Sequence, residues 1–354
     1  HWAAFFGIRD MAEFMVNVGA DLDAKDNVGC SPICATTIPN PYVKENDQVF
    51  KMNRSSIQMF LMMRGANVEG TQGGGMRGSA GTQQGSYDTG TSGGTSSGSA
   101  EQVPELQNLL IKNLGPYDAA SSMFGDLRYI TSFDKLVFDP FGYIHNKGQP
   151  GQYDNPTFEF KAPADTLVIA PASGKLFQIT WQPSAGYTQD DWEIMIRSSK
   201  RSEWGINIDH IVSIDCDRSG KTPVICDKPL RIGGQIAKEG MVVEAGQVLG
   251  YVGNWPDYDN TGINGRTELT LYKYLFKGGV PGPDSFIGVM NYCPTMYLAN
   301  EVESEFKTII AALMNSYETW SGNTLAYEQE KMIAPGCLYS AIKELDGKTE
   351  PVTE

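Results

Sequence analysis

Two stretches decide how this chain is read: Glu159-Phe-Lys-Ala-Pro-Ala-Asp-Thr-Leu-Val-Ile-Ala-Pro-Ala-Ser-Gly174-Lys-Leu and, far downstream, Val243-Glu-Ala-Gly-Gln-Val-Leu-Gly-Tyr-Val-Gly253. Each is a short apolar run broken by Gly or Pro, the pattern of β-strands ending in tight turns. Working outward, further strand-like runs are Leu136–Phe138, Leu167–Ile169, Leu176–Trp181, Glu193–Ile196, Gly205–Ile214, Val242–Val252 and Glu268–Leu275. Gly, Pro and Asp turns separate them, which predicts a β-sandwich or barrel. A short helix is expected at Pro104–Leu114 before them. After them, from Leu298, apolar residues recur at Val302, Phe306, Ile309, Ile310, Leu313, Met314, Tyr317 and Trp320. Those spacings of three and four predict an amphipathic helix of about six turns packing on the barrel.

The chain has 354 residues, enough for two or three modules. With 28 basic against 42 acidic residues its formal charge is −14, which repels phosphate backbones and anionic lipid. No apolar run approaches the roughly 18 residues that span a bilayer. The chain begins at His1, so a signal peptide is expected to be absent or to precede this numbering. The cysteines are Cys30, Cys34, Cys216, Cys226, Cys293 and Cys337, with no CxxC among them. Cys216 and Cys226 flank a turn and Cys293 and Cys337 bracket the helix, so two disulfides and an oxidising compartment are one expectation. Six reduced, buried cysteines are the other.

Residues 71–102 are almost all Gly, Ser, Thr and Gln, a flexible linker that cannot bury enough apolar surface to order itself. Before it, Gly19-Ala20-Asp21-Leu22 returns as Gly65-Ala66-Asn67-Val68, 46 positions later, each closing an amphipathic helical unit. These units, over residues 1–70, resemble ankyrin repeats, whose usual period is about 33. The excess length implies an insertion near Pro39–Asn53, and Cys34 stands where the motif usually has His. Because about three repeats are needed for stability, the array is expected to be partial.

The opening stretches, with Ala162-Pro163, Ala170-Pro171-Ala172-x-Gly174 and Ala245-Gly246, resemble the lysostaphin-type (peptidoglycan endopeptidase, duplicated hybrid motif) β-domain, over roughly residues 136–275. A looser resemblance is to the lipoyl/biotinyl carrier barrel. The expected architecture is thus multidomain: α-helical ankyrin repeats (1–70), linker (71–102), a mainly-β lysostaphin-like sandwich or barrel (103–293), and a C-terminal helix and tail (294–354). The resemblance implies a zinc held by a His-x-x-x-Asp motif and by the second His of a His-x-His strand, with a further His assisting. Residue by residue, those positions fall on Asn155, Glu159, Glu268, Thr270 and His210. Asn and Thr are poor zinc ligands, so the site is degenerate and only the auxiliary His210 remains. His145 lies ten residues before Asn155 and is the one other histidine able to complete a metal site. If Glu159 and Glu268 converge, like-charge repulsion is expected to raise the pKa of one of them.

Two loops resemble EF-hand starts. Asp257, Asp259, Thr261 and Glu268 occupy positions 1, 3, 5 and 12 of the first; Asp215, Asp217 and Ser219 begin the second, which lacks the last Glu. Plain Asp/Gly turns explain both equally well. Calcium or zinc is therefore a possible cofactor, with neither required. Trp181, Trp192, Trp204, Trp255 and Tyr258 offer stacking faces for a sugar or peptide, or pack the sheet. The leading functional expectation is a non-catalytic binding protein: ankyrin repeats for a protein partner, the β-domain for glycan, peptide or protein. The alternatives are a divergent zinc metallopeptidase acting on cell-wall peptides and a structural component of an extracellular assembly. The two resemblances imply different locations, the ankyrin repeats the inside of a cell and the β-domain the outside; an extracytoplasmic location is the leading expectation.

Overall fold

Alternation along the longest strand, Gly265–Phe276, sets the sheet: Thr267, Leu269 and Leu271 are buried, while Arg266, Glu268 and Thr270 on the other face are half-buried. A computed structural model describes residues 1–8, 11–12, 15–16, 19–27, 29–39, 54–55, 57–58, 60–62, 64, 66, 103–129, 136–149, 152–182, 191–199, 202–219, 226–255, 263–279, 286–345 and 348–352. Most of it is β-structure. Twelve strands form one sheet: β1 Phe138–Asp139, β2 Phe158–Ala162, β3 Leu167–Ile169, β4 Gly174–Gln182, β5 Asp191–Arg197, β6 Trp204–Val212, β7 Val242–Val243, β8 Val248–Asn254, β9 Gly265–Phe276, β10 Phe286–Tyr292, β11 Ala341–Leu345 and β12 Lys348–Pro351.

The sheet runs β7-β4-β5-β6-β8-β9-β10-β11-β12, with β2 also on β9, β1 on β2 and β3 on β8. Both central strands change partner midway. On one edge β9 takes β2 over Gly265–Leu269 and then β10 over Leu271–Phe276, while β6 lies on the other. In turn β6 pairs with β9 as far as Asp209 and with β8 from Ile211. His210 sits at this switch, with a left-handed φ of 59° that is uncommon outside glycine. The register against β5 shows why: Ile208 and Ile211 oppose Ile194 and Trp192, so β6 carries one extra residue, a β-bulge.

The predicted Val242–Val252 strand is two, β7 and β8, separated by a turn in which Gly246 has φ 79°. The Pro104–Leu114 helix is not formed. Leu106, Leu109, Leu110 and Ile111 are all buried, and the backbone bonds to neighbouring chain instead: Leu106 N–H to Tyr297 O (2.8 Å), and Leu110 O and Lys112 N–H to residues 169 and 167. Apolar residues on every side make a buried strap, not a one-faced helix. The C-terminal helix, α3, runs Asn300–Ser321 and buries Ile310, Leu313, Met314 and Tyr317 in the main core, with Val302, Phe306 and Trp320 packed beside them. Beyond it β11 and β12 extend the sheet.

In the N-terminal region the bounded helices are α1 Trp2–Phe6 and α2 Pro32–Ala35. The ankyrin array is not shown: Ala3, Met11, Met15, Ile33, Ile57 and Leu61 share one apolar cluster with Phe177, Met195, Tyr272, Tyr274 and Phe276 of the sheet. Repeats need a partner for their apolar face, and here the sheet supplies it. The face of β9 that is ionic at Arg266, Glu268 and Thr270 thus becomes apolar at Tyr272, Tyr274 and Phe276, under the N-terminal residues. The linker 71–102 and the insertion at 40–53 lie outside the described residues. No helix among the described residues is long and apolar enough to cross a membrane. Disulfides join Cys216 to Cys226, Cys293 to Cys337, and Cys30 to Cys34, the last a pairing not drawn from the sequence.

Candidate functional site

Strand register brings four carboxylates into one row. Asp139 on β1 faces Glu159 on β2, Glu159 faces Glu268 on β9, and Glu268 faces Asp209 on β6. Two residues further along, on the same face, Lys161 pairs with Arg266. Like charges directly opposite one another destabilise a sheet, and the cations relieve this. Lys161 Nζ lies 2.7 Å from Asp139 Oδ2 and 3.2 Å from Glu159 Oε1; Arg266 lies 3.8 Å from Glu159 Oε1 and 3.5 Å from Glu268 Oε1. The Trp255 ring packs against both cations, 4.8 Å from Arg266 and 5.8 Å from Lys161. Tyr153 stacks on His145, whose Nε2 is 3.5 Å from Asp139 Oδ2.

At the other end of the row stands His210. Its Nδ1 is 2.9 Å from Asp191 Oδ2 and 3.8 Å from Asp209 Oδ1, and its Nε2 is 3.4 Å from Glu268 Oε1. Asp191 comes from the first position of β5 and is wholly buried. Gly253 makes room for the pair, since a Cβ there would fall 2.4 Å from Asp191 Oδ2 and 2.7 Å from the His210 Cβ.

Protonation follows this layout. Burial pushes Asp139 up to about 7, Lys161 pulling it down and Glu159 pushing it further up. Burial likewise lifts Asp209 to about 6, against the pull of His210. Burial alone would lower His210, but Asp209 and Asp191 outweigh it and hold the imidazole well above its ordinary value. Glu268 runs opposite to the expected rise: burial would raise it, yet the hydrogen bond and charge of His210, with Arg266, hold it at about 2. Lys161 is held above its ordinary value because Asp139 and Glu159 outweigh its burial.

Among the sequence-predicted positions, Glu159, Glu268 and His210 meet in this patch. Asn155 turns away: its Oδ1 accepts from Thr157 Oγ1 (3.0 Å) and its backbone braces Gly142 and Tyr143. Thr270 faces Asn207, one step beyond the carboxylate row. The zinc set implied by the resemblance does not fit these residues. An amide and a hydroxyl replace two ligands, and the acid ligand position, Glu159, already sits between two cations. His145 does approach, within ligand distance of Asp139 and Glu159.

Asp257, Asp259, Thr261 and Tyr258 lie outside the described residues. In the second loop, Arg231 Nε donates to Asp215 Oδ2 (2.6 Å) and Asp217 Oδ1 accepts from Ser219 N–H (3.0 Å), so protein donors hold both carboxylates. Of the tryptophans, Trp255 alone joins the patch. Trp181 packs on Trp192, whose Nε1 donates to Lys228 O, and buried Trp204 packs on Tyr292 and Tyr297.

Sequence reasoning missed Asp139, Lys161, Asp191 and Arg266. Two carried a readable signal: Glu159-x-Lys161 and Arg266-x-Glu268 alternate acid and base on one strand face.

No family model matches the chain, and none of the curated proteins does. Among solved structures, Helicobacter pylori Csd3 is similar over 55% of this chain and 40% of its own length, at 16% identity and a TM-score of 0.24. Lysostaphin in solution is similar over 43% of this chain and 46% of its own, at 14% identity and a TM-score of 0.25. The match spans less than half of either protein, and a likeness at this level carries no argument about activity.

Proposed function

We propose that this chain is a non-catalytic binding protein. Its β-domain, of lysostaphin-like type by its Ala-Pro and Ala-Gly motifs, takes a peptide or glycan at the ionic patch, and its N-terminal residues, ankyrin-like in sequence, engage a protein partner. One observation carries the first part: the Lys161 ammonium, almost fully buried, bonds Asp139 and Glu159 where a peptidase would hold its metal. A fixed internal cation beside these carboxylates opposes a second positive charge there, the ion that would activate water. What remains open to a ligand is the half-buried rim of Arg266, Glu268, Asp209 and His145, with the exposed Tyr153 beside it. Paired charges beside aromatic faces suit the termini and sugars of a wall fragment. Three disulfides favour an extracytoplasmic location.

The test is sedimentation with insoluble peptidoglycan, run alongside a turbidity assay in added zinc. The expected result is retention without clearing, with retention falling at least fivefold in Arg266→Ala. Zinc-dependent clearing by the unmodified chain would establish the divergent-peptidase reading instead.

A further inference from the structure

We propose that Asp139 and Lys161 condense within the folded chain to an amide cross-link between β1 and β2, with Glu159 carrying the proton. The three side chains are already assembled for this reaction. Lys161 Nζ lies 2.7 Å from Asp139 Oδ2 and 3.2 Å from Glu159 Oε1, and all three residues are buried, Lys161 and Asp139 at 1% exposure each. Strand pairing fixes them. Asp139 faces Glu159 across the β1–β2 ladder, and the Lys161 N–H donates to Val137 O on the same ladder. Lys161 and Glu159 therefore share a face, and the amine reaches Asp139 along the diagonal. An amine held this close to a carboxyl group reacts as an intramolecular neighbour, at an effective concentration of about 10⁵ M or more when alignment is good. That concentration offsets the preference of free amines and acids in water to stay apart.

No outside reagent is needed. The shared proton moves from the ammonium to Asp139 Oδ2, leaving a neutral amine beside a neutral acid. The Nζ lone pair then bonds to Asp139 Cγ, and the carbonyl π pair moves onto oxygen. Glu159 Oε1 accepts a proton from Nζ and returns it to the departing hydroxyl. The C–O bond breaks, one water leaves, and Glu159 ends as it began. A cation and an anion disappear together, so the net charge of the patch is unchanged.

The surroundings agree. Burial lifts Asp139 to about 7, so its acid form is accessible near neutral pH. Both carboxylates favour the ammonium, so the free amine is scarce and the reaction slow. The ion pair described above is the reactant state, and the amide accumulates from it. Pro140 follows Asp139 and has no N–H, which removes the usual competing loss of water at an aspartate, attack by the next backbone nitrogen.

The experiment is intact-mass spectrometry of the reduced, denatured full chain, sampled from the day of purification onward at neutral pH. A species lighter by one water, about 18 Da, is expected to grow in. Trypsin should then fail to cut after Lys161 and should release residues 136–147 joined to 148–175. Lys161→Arg keeps the charge but has no amine able to condense, and it is expected to hold its full mass; a melting curve checks its fold. Glu159→Gln is expected to slow formation by about tenfold or more. A mass that stays at the sequence value overturns the proposal. So does equal water loss in Lys161→Arg, which places the dehydration elsewhere. Unslowed formation in Glu159→Gln overturns the role given to Glu159.

Discussion

The two ends of the carboxylate row solve one problem differently. At the Lys161 end, buried acids are neutralised by permanent cations at 2.7–3.8 Å. At the His210 end, the partner is an imidazole whose charge depends on pH and on whatever else binds. The first arrangement is a closed structural unit. The second is adjustable, and it sits on a strained bulge. Strain concentrates where a protein does something besides fold.

The largest effect is expected at the closed end. Lys161→Met removes the cation but leaves Asp139 and Glu159 buried together, and breaking a buried pair in this way costs roughly 3–5 kcal/mol. Denaturant unfolding at neutral pH measures it. Adding Asp139→Leu removes one stranded carboxylate and is expected to restore part of the loss. If Lys161→Met matches the unmodified chain in stability, the closed unit is not structural and the contrast between the ends fails.

A smaller loss is expected from Gly253→Ala at the adjustable end. The new Cβ would meet Asp191 Oδ2 at 2.4 Å and the His210 Cβ at 2.7 Å. Overpacking of this kind costs about 1–3 kcal/mol. The informative readout is the pair: if the imidazole is displaced from Asp191, its NMR titration moves down toward the ordinary histidine value. An unchanged titration would show that Gly253 shapes the strand and not the histidine.

The sequence made the scaffold and part of the patch legible, for identifiable reasons. Leu167–Ile169 is readable as a short apolar run bounded by turn formers, and the Leu298 helix because its burial follows a helical period. The buried strap at residues 106–111 was not, because apolar side chains facing several ways imitate a helix. Glu159, Glu268 and His210 were found through motif register. Asp139 and Asp191 were invisible, since each reaches the patch only by strand pairing across 20 and 19 positions, to Glu159 and to His210. The bulge that aims His210 arises from a register shift between β5 and β6, which no local pattern announces.

The gentlest test of the comparison is pH. Because the folded-state pKa of His210 is raised, its contribution to stability is fully present below the unfolded value of about 6.5. It is lost as pH rises from there through the folded value. Glu268, held at about 2, behaves inversely: its contribution is present above the unfolded value and fades only as pH falls toward 2. Each pH unit between the folded and unfolded pKa corresponds to about 1.4 kcal/mol. In metal-free buffer, unfolding free energy should therefore decline from pH 6.5 upward in the unmodified chain and stay flatter in His210→Gln. At the Lys161 end the cation stays charged throughout, but Asp139, raised to about 7, also loses its contribution as pH rises through that value, so the difference between the two proteins and not the slope itself isolates the imidazole. Parallel curves for the two proteins above pH 6.5 would mean that His210 is neutral in the folded chain, and the adjustable end would then owe its character to the carboxylates alone.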